Sequence, residues 1–246
     1  MSELDGVKAK VAGQFRDRYR ISLTTAPAGA PVVHLVHPAG GSVACYRGLA
    51  GELSPEVATA AFLPAALDGG VLDHDVESMA DRYLAEVPPG PVLLGGWSFG
   101  GLVAFELARR LAAAGRVTGP LLLIDTPLPG IGAVDDATLV AEFEAELSRM
   151  LGADGITAEE HATRFEVFRA HCRAQVAYRP PDRIANDLVV IARKDNQDAP
   201  RWQARTTGRL RLRRLPADHY ELMGKPHVGA IARFVKPTLI TSWKTS

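Results

Sequence analysis

The run Gly96-Trp97-Ser98-Phe99-Gly100-Gly101 constrains this chain more than any other segment. It lies between an apolar stretch, Pro91-Val92-Leu93-Leu94-Gly95, and an amphipathic one, Leu102 to Leu111. That order spells a strand, a tight turn and a helix, with a serine at the apex of the turn. Small residues on both sides let the backbone reverse where a side chain would strike the neighbouring strand or helix. The turn pushes the Ser98 hydroxyl outward and leaves the Phe99 amide free at a helix N-terminus, where developing negative charge is favoured. A sheet flanked by helices is the architecture that holds such a turn.

The other segments fit an α/β fold with a mostly parallel central sheet, helices on both faces and a helical lid insertion. Pro31–His37, Pro120–Asp125 and Asp187–Ala192 are near-continuous apolar runs, as in parallel strands covered on both sides. A strand is expected near Ala60–Leu63, with helices around Tyr46–Leu53 and Val76–Val87. Leu210-Arg211-Leu212-Arg213-Arg214-Leu215 alternates and suits a half-exposed strand near a sheet edge. Between about 130 and 180 no strand pattern occurs. Two helical stretches, Asp136–Leu151 and Ala158–Ala177, are expected there, and an insertion between parallel strands lies over their carboxyl ends, where ligands bind. Residues 1–30 read as an N-terminal extension with a short charged helix from Val7 to Arg20, and 31–246 as the main domain.

Lysine plus arginine and aspartate plus glutamate both total 28, so neither nucleic acid nor a charged membrane surface is indicated as partner. Cys45 and Cys172 lie far apart and form no metal or redox pattern; ordinary reduced thiols and no metal site are expected. Met1-Ser2-Glu3-Leu4-Asp5 lacks the make-up of a secretory signal, and no apolar run approaches the roughly 20 residues that span a bilayer. A cytoplasmic location is expected.

A serine hydroxyl needs a base beside it and a group to orient that base. His219 follows the late strand in Pro216-Ala217-Asp218-His219-Tyr220, which gives the chain order serine, acid, histidine. Asp125, at the end of the strand after the elbow helix, is the favoured acid; Asp195 and Asp198, after the next strand, are the rivals. Asp218 is expected to bond within its own loop. Of the remaining histidines, His34 reads as a strand residue, His74 as a loop residue, His161 and His171 as lid-helix positions, and His227 as a helix start. His37 is expected to shape its loop. Pro38-Ala39-Gly40-Gly41 is the loop after an early strand, so the Ala39 amide is the expected partner of the Phe99 amide in an oxyanion hole. Arg201, Arg205, Arg209, Arg211, Arg213 and Arg214 form a basic segment, read either as a solvated strand face or as a steering surface for an acidic partner.

With these residues in place, the chain resembles the thioesterase domains of nonribosomal peptide synthetases and polyketide synthases, members of the α/β-hydrolase superfamily. The similarity lies in His37-Pro38-Ala39-Gly40-Gly41 with Tyr46, Met79 to Leu84, Gly95 to Gly101, Leu122 to Thr126 and Asp218 to Met223, and spans Pro31 to Phe234. Ser54 to Gly70 departs from the usual family wording. The resemblance implies a Ser98 acyl-enzyme formed from an acyl or peptidyl thioester. That chain would be carried on the phosphopantetheine arm of a carrier protein, with no cofactor bound by the chain itself. Trp97-Ser98-Phe99 and the aspartate after the strand point to the terminal, product-releasing type. A discrete editing thioesterase, a small-ester hydrolase and a binding protein with a vestigial serine site are the alternatives, and a free-standing protein and an excised domain are both open.

Overall fold

In the computed structural model, which describes residues 16–17, 19–131, 135–151 and 156–244, an eight-stranded sheet forms the centre. The strands are β1 (Arg16–Asp17), β2 (Arg20–Ser22), β3 (Val32–Val36), β4 (Ala58–Phe62), β5 (Leu93–Trp97), β6 (Leu121–Ile124), β7 (Leu188–Arg193) and β8 (Leu210–Leu215). Their order across the sheet is β1-β2-β4-β3-β5-β6-β7-β8. β1 and β2 run antiparallel; every pair from β4 to β8 is parallel. This is the α/β-hydrolase arrangement the sequence implied.

The helices are α1 (Arg47–Leu53), α2 (Val76–Leu84), α3 (Phe99–Ala113), α4 (Asp136–Leu151), α5 (Ala158–Ala177) and α6 (His227–Lys244). Alternation along the central strands sends side chains to two cores. Val36, Leu94, Leu123 and Val190 meet α2, α3 and α5 on one side. Leu35, Leu93, Leu122 and Val189 meet α1 and α6 on the other. Both faces are thus covered, which is why these strands are apolar throughout. β8 closes one edge and alternates between half-buried and exposed residues, as its sequence suggests.

One expectation is overturned. The charged stretch Val7–Arg20 does not continue as a helix to its end, because Arg16–Asp17 and Arg20–Ser22 are strands; its earlier part lies outside the described residues. The open edge of β4 supplies the reason: Arg20, Ile21 and Ser22 pair with Phe62, Ala61 and Ala60, satisfying backbone groups that a helix would leave bare. The segment with unusual wording, Ser54 to Gly70, contains the buried strand β4.

α4 and α5 lie between β6 and β7 in sequence and fall where the lid was expected. α5 starts at a reciprocal cap: the Thr157 side chain accepts the Glu160 amide, and the Glu160 carboxylate accepts the Thr157 amide. Its far end is fastened where the Tyr178 hydroxyl donates to Glu106 of α3 at 2.9 Å.

Candidate active site

Ser98 sits between β5 and α3 with φ 55° and ψ −130°, a conformation that L-residues seldom adopt. The surroundings hold it there. Its amide donates to the Ile124 carbonyl at 2.9 Å, continuing the β5–β6 ladder one residue past the strand. A Cβ on Gly100 would collide with the Val36 and His37 carbonyls, and one on Gly96 with the Gly100 backbone, so only glycine permits this close approach of strand and helix. Tyr46 links the neighbouring strand ends, donating to the Val36 carbonyl at 2.6 Å and accepting the Trp97 amide at 2.8 Å.

Asp125 follows β6 directly and also has a positive φ, 41°. Its amide donates to the Ile191 carbonyl at 2.7 Å, again one residue past the strand. The side chain is 3% exposed. Oδ2 lies 2.7 Å from His219 Nδ1, while Oδ1 accepts from Asn196 Nδ2 at 2.9 Å and more weakly from the Arg193 amide at 3.4 Å. Burial pushes this acid upward, but the hydrogen bonds from His219 and Asn196 outweigh it and hold the carboxyl below the usual aspartate value, with the His219 and Arg193 charges adding to the effect. An ionised Asp125 therefore accepts the Nδ1 proton of His219, which turns the other ring nitrogen into the proton acceptor.

The rival acids face arginines instead of His219. The Asp195 side chain is 72% exposed and faces Arg193 at 3.6 Å; Asp198 pairs with Arg201 at 2.6 Å. Asp218 stays in its own loop, accepting the amides of Tyr220 and Glu221, each at 2.8 Å. The His219 ring packs on Trp97, with centroids 4.9 Å apart. Ser98, Asp125, His219 and Ala39 line one cavity of about 730 Å³ beneath α4 and α5. Among the described residues no hydrogen bond joins Ser98 Oγ to the His219 ring, a separation common before substrate binds. The Ala39 and Phe99 amides donate to no other described residue.

Three residues near this cavity carry more than their sequence positions reveal. His37, fully buried, hydrogen-bonds through Nδ1 with the Pro38 carbonyl at 2.9 Å and through Nε2 with the Tyr83 hydroxyl at 2.8 Å. His171 of α5 reaches the Ala39 carbonyl with Nδ1 at 2.7 Å. Glu146 of α4 is 6% exposed and presses against Gly40, where Oε1 occupies the place a Cβ would take and has no hydrogen-bond partner. Burial pushes the Glu146 acid up to about 7; Glu142 adds to the rise and the Gly40 backbone opposes it. No local pattern marks the last two, because both act across a lid-to-loop contact. The other histidines match their expected settings: His34 is buried in β3, His161 pairs with Glu144 at 2.8 Å on the lid surface, His74 lies in a loop, and His227 opens α6.

Most of the basic segment has local partners. Besides Arg201, Arg209 pairs with Asp187 at 3.1 Å, Arg211 covers the Phe234 ring, and Arg214 donates to the Lys194 and Asn196 carbonyls. Both cysteines are free thiols, and burial pushes Cys172, at the cavity wall, up to about 12. No helix among the described residues is long and apolar enough to cross a membrane.

Residues 31–239 match the family model described as thioesterase domain. Over 166 residues the chain is 30% identical to the non-reducing polyketide synthase curS2 of Aspergillus terreus, covering 64% of this chain but only 8% of that synthase. It is also 30% identical over 234 residues to thioesterase TesA of Mycobacterium marinum, covering 83% of this chain and 93% of TesA. Among solved structures, the type II thioesterase BorB from the borrelidin biosynthetic cluster superposes with a TM-score of 0.75 at 25% identity, covering 91% of this chain and 98% of BorB. The chain belongs to the thioesterase domain family.

Proposed function

We propose that this enzyme releases acyl or peptidyl chains from the phosphopantetheine thioester of a carrier protein through an acyl-enzyme on Ser98. The observation that carries the reading is the 2.7 Å hydrogen bond from His219 to buried Asp125 at the cavity that Ser98 enters. The free His219 nitrogen takes the Ser98 Oγ proton as Oγ attacks the thioester carbonyl. The Ala39 and Phe99 amides receive the oxyanion. Collapse breaks the carbon–sulfur bond, and His219 returns its proton to the departing pantetheine thiol. A second nucleophile then gives its proton to His219 and attacks the ester carbonyl. Water yields a free acid; a hydroxyl or amine of the chain itself yields a lactone or lactam, and Ser98 recovers its proton. The phosphopantetheine arm comes with the carrier, which makes it part of the substrate. The cytoplasm is the setting proposed for this chemistry.

Removal of stalled chains by a discrete editing enzyme is the second reading. It is favoured by the near full-length similarity to TesA and to the type II enzyme BorB. Both readings share the acyl-enzyme step and differ in substrate breadth. Intact-mass analysis after mixing with acyl-N-acetylcysteamine thioesters should show a covalent adduct that Ser98→Ala lacks. Turnover of one extended chain far above short acyl groups supports release; comparable turnover of many short acyl groups supports editing. Undiminished turnover by Ser98→Ala refutes both.

A further inference from the structure

Two successive peptide planes of the loop after β3 are each held by a histidine. The Pro38 carbonyl accepts hydrogen bonds from His37 Nδ1 and the Gly41 amide, both at 2.9 Å. In a trans peptide the N–H points opposite to the C=O, so these two bonds aim the Ala39 amide. The next plane is held through the Ala39 carbonyl, 2.7 Å from His171 Nδ1. Each Nδ1 faces a carbonyl oxygen, which has no proton to give, so each carries the hydrogen. His37 Nε2 is then an acceptor facing the Tyr83 hydroxyl at 2.8 Å, whose one proton it shares with the Leu63 carbonyl at 3.1 Å.

His171 comes from the lid. It is 1% exposed, and its ring stacks on Phe99 (5.0 Å, 10°) and on His37 (4.9 Å, 27°). One side chain of α5 therefore grips the carbonyl of one oxyanion residue and packs flat against the side chain of the other. Burial keeps both rings neutral: His37 is pushed down to about 4, and His171 well below its ordinary value, with His37 contributing. Sealed from the cavity with Nδ1 already engaged, His171 has no route to proton transfer with substrate.

Resting on the reading that the Ala39 and Phe99 amides form the oxyanion hole, we propose that His171 is a positioning residue through which the lid sets the Ala39 amide for catalysis. With the planes on both sides of its Cα fixed, Ala39 cannot pivot, and its N–H stays aimed where the oxyanion develops. Displacing α5 removes the outer of the two holds. A seated lid and a competent oxyanion hole are then the same structural event.

Two variants isolate the hydrogen bond. His171→Phe keeps a flat ring on Phe99 and removes the donor; His171→Asn restores an N–H near the position of Nδ1. With the best acyl-N-acetylcysteamine thioester, His171→Phe should lose about 10- to 100-fold in kcat with KM within about twofold of wild type, because an oxyanion donor acts in the transition state. Affinity for the trifluoromethyl ketone analogue of the same chain should fall by the same factor, and His171→Asn should recover most of both. An unchanged kcat in His171→Phe, an unchanged ketone affinity, or no recovery in His171→Asn overturns the proposal. If His171→Phe does not fold, His171→Leu replaces it. In the wild type, the Nδ1 proton resonance of His171, read in 15N-histidine-labelled protein, should move when the ketone binds, and a stationary resonance refutes the role. Ser98→Ala runs in parallel. Full turnover there defeats the acyl-enzyme reading, whereas a serine-dependent enzyme indifferent to His171→Phe defeats only the positioning role.

Discussion

Glu146→Gln should make the protein more stable at alkaline pH and leave it nearly unchanged in acid. The folded chain buries this carboxyl under the lid with Oε1 unpartnered, raising its pKa from an ordinary 4.5 to about 7. Below pH 4.5 both the folded and unfolded states carry the proton, and above about 7 both have lost it. Between those values the unfolded chain releases its proton first, so stability falls as pH rises through this window. A span of about 2.5 pH units at about 1.36 kcal/mol each gives a loss of about 3 kcal/mol, complete by about pH 8. Glutamine keeps the shape without the ionisation, so urea denaturation should find the variant more stable than wild type by up to about 3 kcal/mol at pH 8 and close to it at pH 4.5. For a chain of this length the gain corresponds to about 6–12 °C in Tm. Taking the difference between the two proteins cancels the pH dependence of Asp125, His37 and His171, which titrate in both. Equal stability at pH 8, or a variant less stable there, refutes the reasoning.

Asp125→Asn should lower kcat by about three to four orders of magnitude with the fold intact, because an amide cannot hold His219 in the working tautomer; Asp195→Asn should stay near wild type in the same thioester assay. Gly100→Ala should cost at least about 3 kcal/mol in urea denaturation, since the added methyl meets two backbone carbonyls that cannot move aside. Tyr178→Phe should cost about 1.5–3 kcal/mol, the usual worth of a hydrogen bond to a charged group, because Glu106 keeps only Arg109 and Arg110; an unchanged urea midpoint would show that the end of α5 is not fastened there.

The elbow, the later strands and both lid helices were legible because each is written locally, in apolar runs, helical spacing and glycines at a turn. Asp125 and His219 could be nominated because parallel strands deliver their following residues to one edge of the sheet. The place of Asp125 right after the strand that follows the elbow helix favours it over Asp195, but its bond to His219 joins residues 94 positions apart and no local pattern writes it. His171 and Glu146 were illegible as functional candidates. On their helices they are simply buried positions, and their meaning comes from the loop they touch. The end of the expected helix, up to Arg20, misled for the converse reason: its charged make-up favoured a helix, but the unpaired edge of β4 offered more hydrogen bonds than helix propensity could offset.

The ladder bonds from Ser98 to Ile124 and from Asp125 to Ile191 divide the machinery by its resistance to melting. The proposed nucleophile and acid are splinted to the interior of the sheet, where their amides should be among the last to exchange with solvent, whereas Ala39 depends partly on an insertion joined to the sheet through its two ends. Sub-global opening of that insertion should leave a serine still correctly mounted but poorly able to complete a turnover. The protein would then switch off before it unfolds, and back on without refolding its core.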